Sequence, residues 1–588
     1  MSSTLPPPPP PPSGPLSGPP SGPPSGPPSG PPSGPPEYLE SGGGGPIPPE
    51  PRRGGSPVKK GLFVGGGVIG LVAVGVGAWA TYSFFSTGPQ PAEALPAKTL
   101  AYASIDLDPS GGQKLEALRT LNKFPAFKDY VGINPDDDLR KAIFDKLQVG
   151  AQCDDIDYAD DIEPWLGDRA AVAAVDLGDA QPDAVVVVQV KDADKADAGL
   201  DKIRDCAGGG DDGGWKISGD WAVIAESGKV ADEVADAAAD HSLADDADFT
   251  KWTGEAGDSG VATFYAGPAA GDYLADHVDD LFGFPFGLLG GVSQDCASSG
   301  TVLPDGTSIT SPDVCSPVES SSGPPISQDL KDKLRGFRGM AATIRFDDGA
   351  IEMEAAGDSS LGKSTFLNGG GTADVVKSLP SDTGAVLGLG FKDGWFADIV
   401  GYIAPYTGQD ADELMNELSD ASGLDLPADA ETLAGDSAAL ALGSDFDPSE
   451  FFGSQDGSDV PIAVKIKGDP DKIETVLDKL RDMAGPEANV LASDSDGDVV
   501  AIGPDADYRA EVLKDGGLGD NDVFKDVVRE ADKAQTVLFV DVDEFEDAIA
   551  SWDDGDVEFV DNLKVVSGFG VTAWVDGDVS HGVMRLTT

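Results

Sequence analysis

The hydrophobic pattern divides the chain into three stretches. Residues 1–57 carry almost no apolar side chains and show no periodicity. Gly61 to Phe85 is an uncharged run of 25 residues, GLFVGGGVIGLVAVGVGAWATYSFF. From residue 93 onward, short β-branched runs alternate with helical stripes. Ala184–Val190 and Val460–Ile466 read as strands. Ile473, Val476, Leu477 and Leu480 repeat at i, i+3, i+4 and i+7, which predicts a helix burying one stripe. Lys216–Ala225 and Val490–Ile502 fold back at Ser-Gly-Asp and Asp-Gly-Asp, as hairpins do. Strand pairs without an intervening helix predict an α+β class: largely antiparallel sheets covered by helices.

Comparing the chain with itself shows an ordered duplication. Leu95-Pro96 through Leu107 matches Leu379-Pro380 through Phe391 at an offset of 284. Trp165 to Ala174 corresponds to Leu433 to Leu442, and Gly219 to Ile224 to Gly497 to Ile502. The strand pairs Met340–Glu354 and Phe569–Val583 also correspond. The offset falls from 275 to 229, which implies a 46-residue insertion in the first copy, near 281–330. The expectation is two tandem α+β repeats, 93–366 and 372–588.

Upstream, Pro6–Pro12 and a repeated Ser-Gly-Pro-Pro unit leave nothing to offset the entropy cost of order. Residues 1–57 are therefore expected to be a disordered tail of polyproline character, a spacer or a docking ligand. The run 61–85 would span ~37 Å as a helix, more than the ~30 Å hydrocarbon core. Arg52, Arg53, Lys59 and Lys60 precede it, and the first charge after it is Glu93. By the positive-inside rule these four set the topology: tail in the cytoplasm, 93–588 outside, with the lipid bilayer as partner of 61–85. A cleaved signal peptide fits less well, because the run is long and its leader extended.

The 588 residues carry a formal net charge of −63. Residues 1–92 hold three acids and four bases, so 93–588 hold 100 acids against 36 bases. That excess excludes nucleic acid, whose phosphates need clustered Lys and Arg.

The span, followed by Leu95-Pro-Ala-Lys-Thr-Leu-Ala-Tyr-Ala-Ser-Ile-Asp-Leu-Asp-Pro-Ser110, Leu121-Asn-Lys-Phe-Pro-Ala-Phe127 and Trp165-Leu-Gly167, resembles an actinobacterial family catalogued as domain of unknown function 3352. The resemblance covers essentially the whole exterior. It implies a membrane-anchored, extracytoplasmic protein and carries over no catalytic or binding residue.

Candidate chemistry is sparse. Gly357-Asp-Ser-Ser-Leu-Gly362-Lys363-Ser364 satisfies the phosphate-loop pattern, but Gly369-Gly-Gly371 leaves no room for the helix that would cradle phosphates, so no nucleotide is expected. Asp494-Ser-Asp496-Gly497-Asp498 lacks the first acid of a calcium loop and reads as a hairpin turn. Acid clusters such as Asp136–Asp138 and Asp154–Asp161 read as solvated surface. His241, His277 and His581 are too scattered for a metal cluster. No cofactor, metal or catalytic residue is assigned.

Cys153, Cys206, Cys296 and Cys315 all lie outside the membrane and allow three pairings. The second copy has Met483 at the place of Cys206, and only Ala421 and Ser422 near that of Cys153. Joint loss favours Cys153–Cys206, with Cys296–Cys315 stapling the insertion at about 3 kcal/mol in the entropy model. Acidic neighbours suggest that the cysteines are exposed.

The function expected from these features is a non-catalytic envelope protein that binds or scaffolds an envelope or extracellular partner. The alternatives are an envelope-polymer hydrolase and a chaperone or lipid-binding module. A hydrolase should keep a polar cluster in one copy that the other lacks, whereas the copies differ mainly in cysteines and insertion. A lipid-binding module needs an apolar cavity.

Overall fold

The fold is that of a computed structural model whose described residues run from 89 to 588. They omit 107–111, 131–137, 149–152, 207–212, 282–300, 303–307, 310–327, 363–366, 447–459, 546–556 and a few single or paired positions. The tail 1–57, the span 61–85, Arg52, Arg53, Lys59, Lys60, Cys296 and Cys315 therefore lie outside the described residues. No helix among the described residues is long and apolar enough to cross a membrane.

The protein is α+β, built on one large antiparallel sheet. The first half supplies β1 (Thr99–Asp106), β2 (Leu166–Val175), β3 (Asp183–Val190), β4 (Gly214–Ser218), β5 (Trp221–Ala225) and β6 (Ala262–Ala266). A separate ribbon, β7 (Thr301–Val302) with β8 (Ser308–Ile309), lies in the inserted region, and β9 (Met340–Asp347) and β10 (Ala350–Asp358) follow. The second half supplies β11 (Thr383–Gly390), β12 (Ser437–Gly443), β13 (Ile462–Lys467) and β14 (Ser493–Asp496). It ends with β15 (Val499–Ile502), β16 (Thr536–Asp541), β17 (Gly568–Asp576) and β18 (Val579–Thr587).

Sixteen of these strands form a single sheet, and β10 pairs with β18 at its middle. Outward from that junction the first half runs β10-β9-β6-β1-β2-β3-β5-β4. The second half runs β18-β17-β16-β11-β12-β13-β15-β14, the same order strand for strand. Local details repeat too. The β1–β2 and β11–β12 ladders both shift register, at Thr99/Ala101 and Thr383/Ala385. Thr99 Oγ1 donates to Pro96 O at 2.7 Å and Thr383 Oγ1 to Pro380 O at 2.8 Å.

Local chemistry explains the turns and helix starts. β9 and β10 are joined by Asp348-Gly349, both at positive φ (49° and 80°), the two-residue turn whose twist suits a hairpin. The helix Ala247–Glu255 starts on Asp246, which accepts from Asp248 N and Phe249 N, and Asp522–Val527 starts on Asn521, which accepts from Phe524 N. The predicted stripe forms Pro470–Ala484, with Ile473, Val476 and Leu477 buried.

Helices cover the sheet's first face with two apolar cores. In the first half Val230, Val234 and Trp252 pack on Tyr102, Val185 and Val187; in the second, Val376, Val512 and Phe524 pack on Val386, Val537 and Phe539. Between them, at the junction, lies a buried ion network. Arg585, 1% exposed, donates to Glu352 Oε2 at 2.6 Å and to Asp347 Oδ2 at 3.0 Å. Arg345 Nε donates to Glu352 Oε1 at 2.8 Å, and Arg529 stands 3.7 Å from Asp347. Residues of the second half thus neutralise carboxylates of the first.

Candidate functional site

The sheet's second face carries the most distinctive feature. Successive side chains on a strand point to opposite faces, and directly paired residues on neighbouring strands share a face. One row of paired residues runs Val188, Ala170, Ile105, Ala262, Ile344, Met353 across β3, β2, β1, β6, β9 and β10. It continues Met584, Val571, Leu538, Leu387, Leu440, Val464 across β18, β17, β16, β11, β12 and β13. Every member is apolar. At ~4.8 Å per strand the row is about 50 Å long.

Helices cover parts of this row. Ala117, Leu121 and Phe127 pack on Ile105, Ala262 and Phe346 in the first half. Toward the second half the row opens: Leu387 is 39% and Leu440 40% exposed. Met340, also on this face, is 43% exposed. Two cavities flank the row. One, about 510 Å³, is lined by Ala103, Val172, Phe264, Met340 and Ala342 among others. The other, about 520 Å³, lies between β12, β13 and the helices Trp395–Thr407 and Ala411–Ser422. Its walls include Phe391, Trp395, Phe396, Leu418, Leu433 and Val464. Both volumes fall in the usual range for small-ligand sites. The buried Trp395 Nε1–H has no acceptor among the described residues.

The residues singled out from sequence lie elsewhere. Cys153 and Cys206 are bonded, with Cα atoms 5.8 Å apart, and tie the segment before Tyr158 to the end of the helix Ala193–Cys206. Cys153 is buried at 8% exposure, against the expectation from its acidic neighbours. The chain turns it into a core of Ile156, Tyr158, Trp165 and Leu200, while Asp155 and Asp205 are exposed. Gly357 and Asp358 finish β10, and Ser359–Gly362 is a single helical turn. The Asp358 carboxylate takes up the nearby donors, Arg338 N at 3.0 Å and Ser360 N at 3.1 Å. Asp494–Asp498 is the β14–β15 hairpin with Gly497 at φ 63°. In the acid cluster, Asp157 accepts from Asp160 N and Asp161 pairs with Lys202. Among the described residues no group of three or more His, Cys, Asp or Glu could hold a metal ion.

The two halves differ by more than cysteines and an insertion, which corrects the sequence comparison. On the first face, β1, β2 and β6 carry Tyr102, Ser104, Asp106, Arg169 and Thr263, where β11, β12 and β16 carry Val386, Gly388, Gly390, Ser437 and Val537. Self-comparison missed this set because its members are scattered over 162 positions of the chain.

Residues 63–277 match the family described as Protein of unknown function (DUF3352). This part of the chain is similar to that family. No curated protein and no solved structure matches the chain. The DUF3352 stretch takes in β1–β6 and stops before the insertion, so the second half of the apolar row lies beyond it.

Proposed function

We propose that this protein is a single-pass, membrane-anchored, extracytoplasmic binding protein. Its two tandem repeats, 93–366 and 372–588, would present the second sheet face to acyl chains of uncharged lipids. The observation that carries the proposal is the row of twelve apolar partners that opens at Leu387 and Leu440. A strand with apolar residues on both faces is stable when both faces are covered. An open stretch of such a face invites an apolar occupant.

Lipid is the occupant at hand. The uncharged run ends at Phe85, and the first described element, Pro91–Ala94, starts six positions later in the sequence. A leaflet is about 15 Å deep, half the ~30 Å core, so a ~50 Å row has room for several acyl segments end to end. The excess of acids outside disfavours anionic headgroups and selects uncharged ones. The matching strand order and shared register shifts support a duplicated unit. The tail 1–57 would remain in the cytoplasm, set by Arg52, Arg53, Lys59 and Lys60.

The test uses membranes carrying the full-length chain and photoactivatable diacylglycerol or phosphatidylglycerol probes, with labelled peptides identified by mass spectrometry. The expected result is labelling of peptides containing Leu387, Leu440 and Trp395, stronger for diacylglycerol. Leu387→Asp/Leu440→Asp should reduce it several-fold. Labelling confined to 61–85, or crosslinks showing the face covered by this chain or a second copy, would overturn the proposal.

A further inference from the structure

On the opposite face, the polar set of the first half encloses a separate cavity of about 320 Å³. Its floor is Ser104, Asp106, Arg169 and Thr263; its roof is the segment 90–93, and Phe249 and Thr253 close one side. Arg169 is 4% and Asp106 9% exposed. Arg169 Nε donates to Asp106 Oδ2 at 3.1 Å, and Arg169 Nη1 donates to Pro89 O, which ties the roof to the floor. Tyr102 and Tyr265 stand edge-on to Phe249, with ring centroids 5.6 and 5.0 Å away.

The second half shows what this place looks like when it is filled. Gly390 faces Ser437 where Asp106 faces Arg169, and Gly388 and Val537 replace Ser104 and Thr263. The helix Thr372–Lys377 drops Val376 onto the sheet, with Val376 Cγ2 only 2.3 Å from where a Cβ on Gly388 would sit. At the 284 offset Ala92 occupies the place of Val376, in a shorter turn, Pro91–Ala94. A smaller roof and longer floor residues thus create room together. Core packing alone would favour the filled version, because burying an ion pair is no better than burying well-packed apolar groups.

We propose that this cavity binds one small, uncharged polyhydroxy ligand, of the size of a single sugar ring or cyclic polyol. The Asp106–Arg169 pair neutralises itself, so a charged ligand would have to break it at high cost. An uncharged ligand can add hydroxyl contacts to both partners. Ser104 and Thr263 supply further hydroxyls, and Phe249 gives an apolar wall for ring C–H groups. The site lies on the other sheet face from the apolar row and does not depend on acyl binding.

The test is saturation-transfer NMR on the full-length protein in nanodiscs, with D-glucose, D-galactose and myo-inositol as probes. At least one should bind saturably by about 10 mM, the weak end of useful affinity. Ser104→Ile fills the cavity and should abolish the signal. Thr263→Val keeps volume while removing one hydroxyl, and should weaken binding about 5-fold, the worth of one neutral hydrogen bond. Absence of saturable binding by all three probes would overturn the proposal. So would equal binding by the native protein and the folded Thr263→Val variant.

Discussion

Replacing Arg585 by Met removes the centre of the ion network where β10 meets β18. Three hydrogen bonds disappear: to Glu352 at 2.6 Å, to Asp347 Oδ2 at 3.0 Å and to Asp347 O at 2.9 Å. Breaking a buried pair on one side costs ~3–5 kcal/mol, because the remaining charge keeps its desolvation penalty. Glu352 still holds Arg345 at 2.8 Å, and Arg529 is within 4 Å, so the cost should fall at the low end, about 3 kcal/mol. Glu352→Met alone leaves Arg585 with Asp347 and should cost about 2–3 kcal/mol by the same reasoning. The double variant leaves no orphaned partner in the pair, because Arg345 keeps Glu354. Its cost should be less than the sum by about 2 kcal/mol. Urea unfolding of the full-length protein, followed by tryptophan fluorescence, measures all three. Trp252 and Trp574 are buried in the first and second halves and report both sides. If the network holds the two halves together, Arg585→Met should also split one transition into two. Costs that add within about 0.5 kcal/mol would refute the claim that these groups act as a unit.

The remaining predictions concern one acid and the disulfide. Burial, followed by repulsion from Glu544 and Asp543, pushes the Asp541 carboxyl up to about 6, and the residue is 6% exposed. The folded state therefore holds a proton that the unfolded state has lost, and stability falls as pH rises from about 4 to about 6. Asp541→Asn should raise Tm at pH 7.5, worth about 1–3 kcal/mol, and change little near pH 4; equal shifts at both pH values would refute the assignment. The Cys153–Cys206 bond closes a loop with a sequence separation of 53, worth about 4 kcal/mol in the entropy model. Cys153→Ala/Cys206→Ala should lower Tm by several degrees; a Tm unchanged from the native protein would refute a structural role.

Much of this fold was legible because it depends on near neighbours in sequence. Turns such as Gly497-Asp498, the stripe of Ile473, Val476 and Leu477, and the α+β class follow from residues within a few positions of each other. The Cys153–Cys206 pairing was also legible, since the matching positions in the second half of the chain carry no cysteine. Strands β11 and β12 are apolar at nearly every position, on both faces. Whether the second face would be covered could not be read from them, because coverage depends on elements far away in sequence. The β10–β18 junction joins residues more than 200 positions apart, and only that junction turns two short apolar patches into one continuous row. The polar cavity has the same origin. Asp106 is one of 103 acids, and nothing local sets it apart; the β1–β2 register places Arg169 opposite it, and a short roof leaves the pair room. Sequence determined which strands and turns form, since those are local free energies. Tertiary structure decided which side chains share a face and which faces stay open, since strand order and register are set by long-range packing.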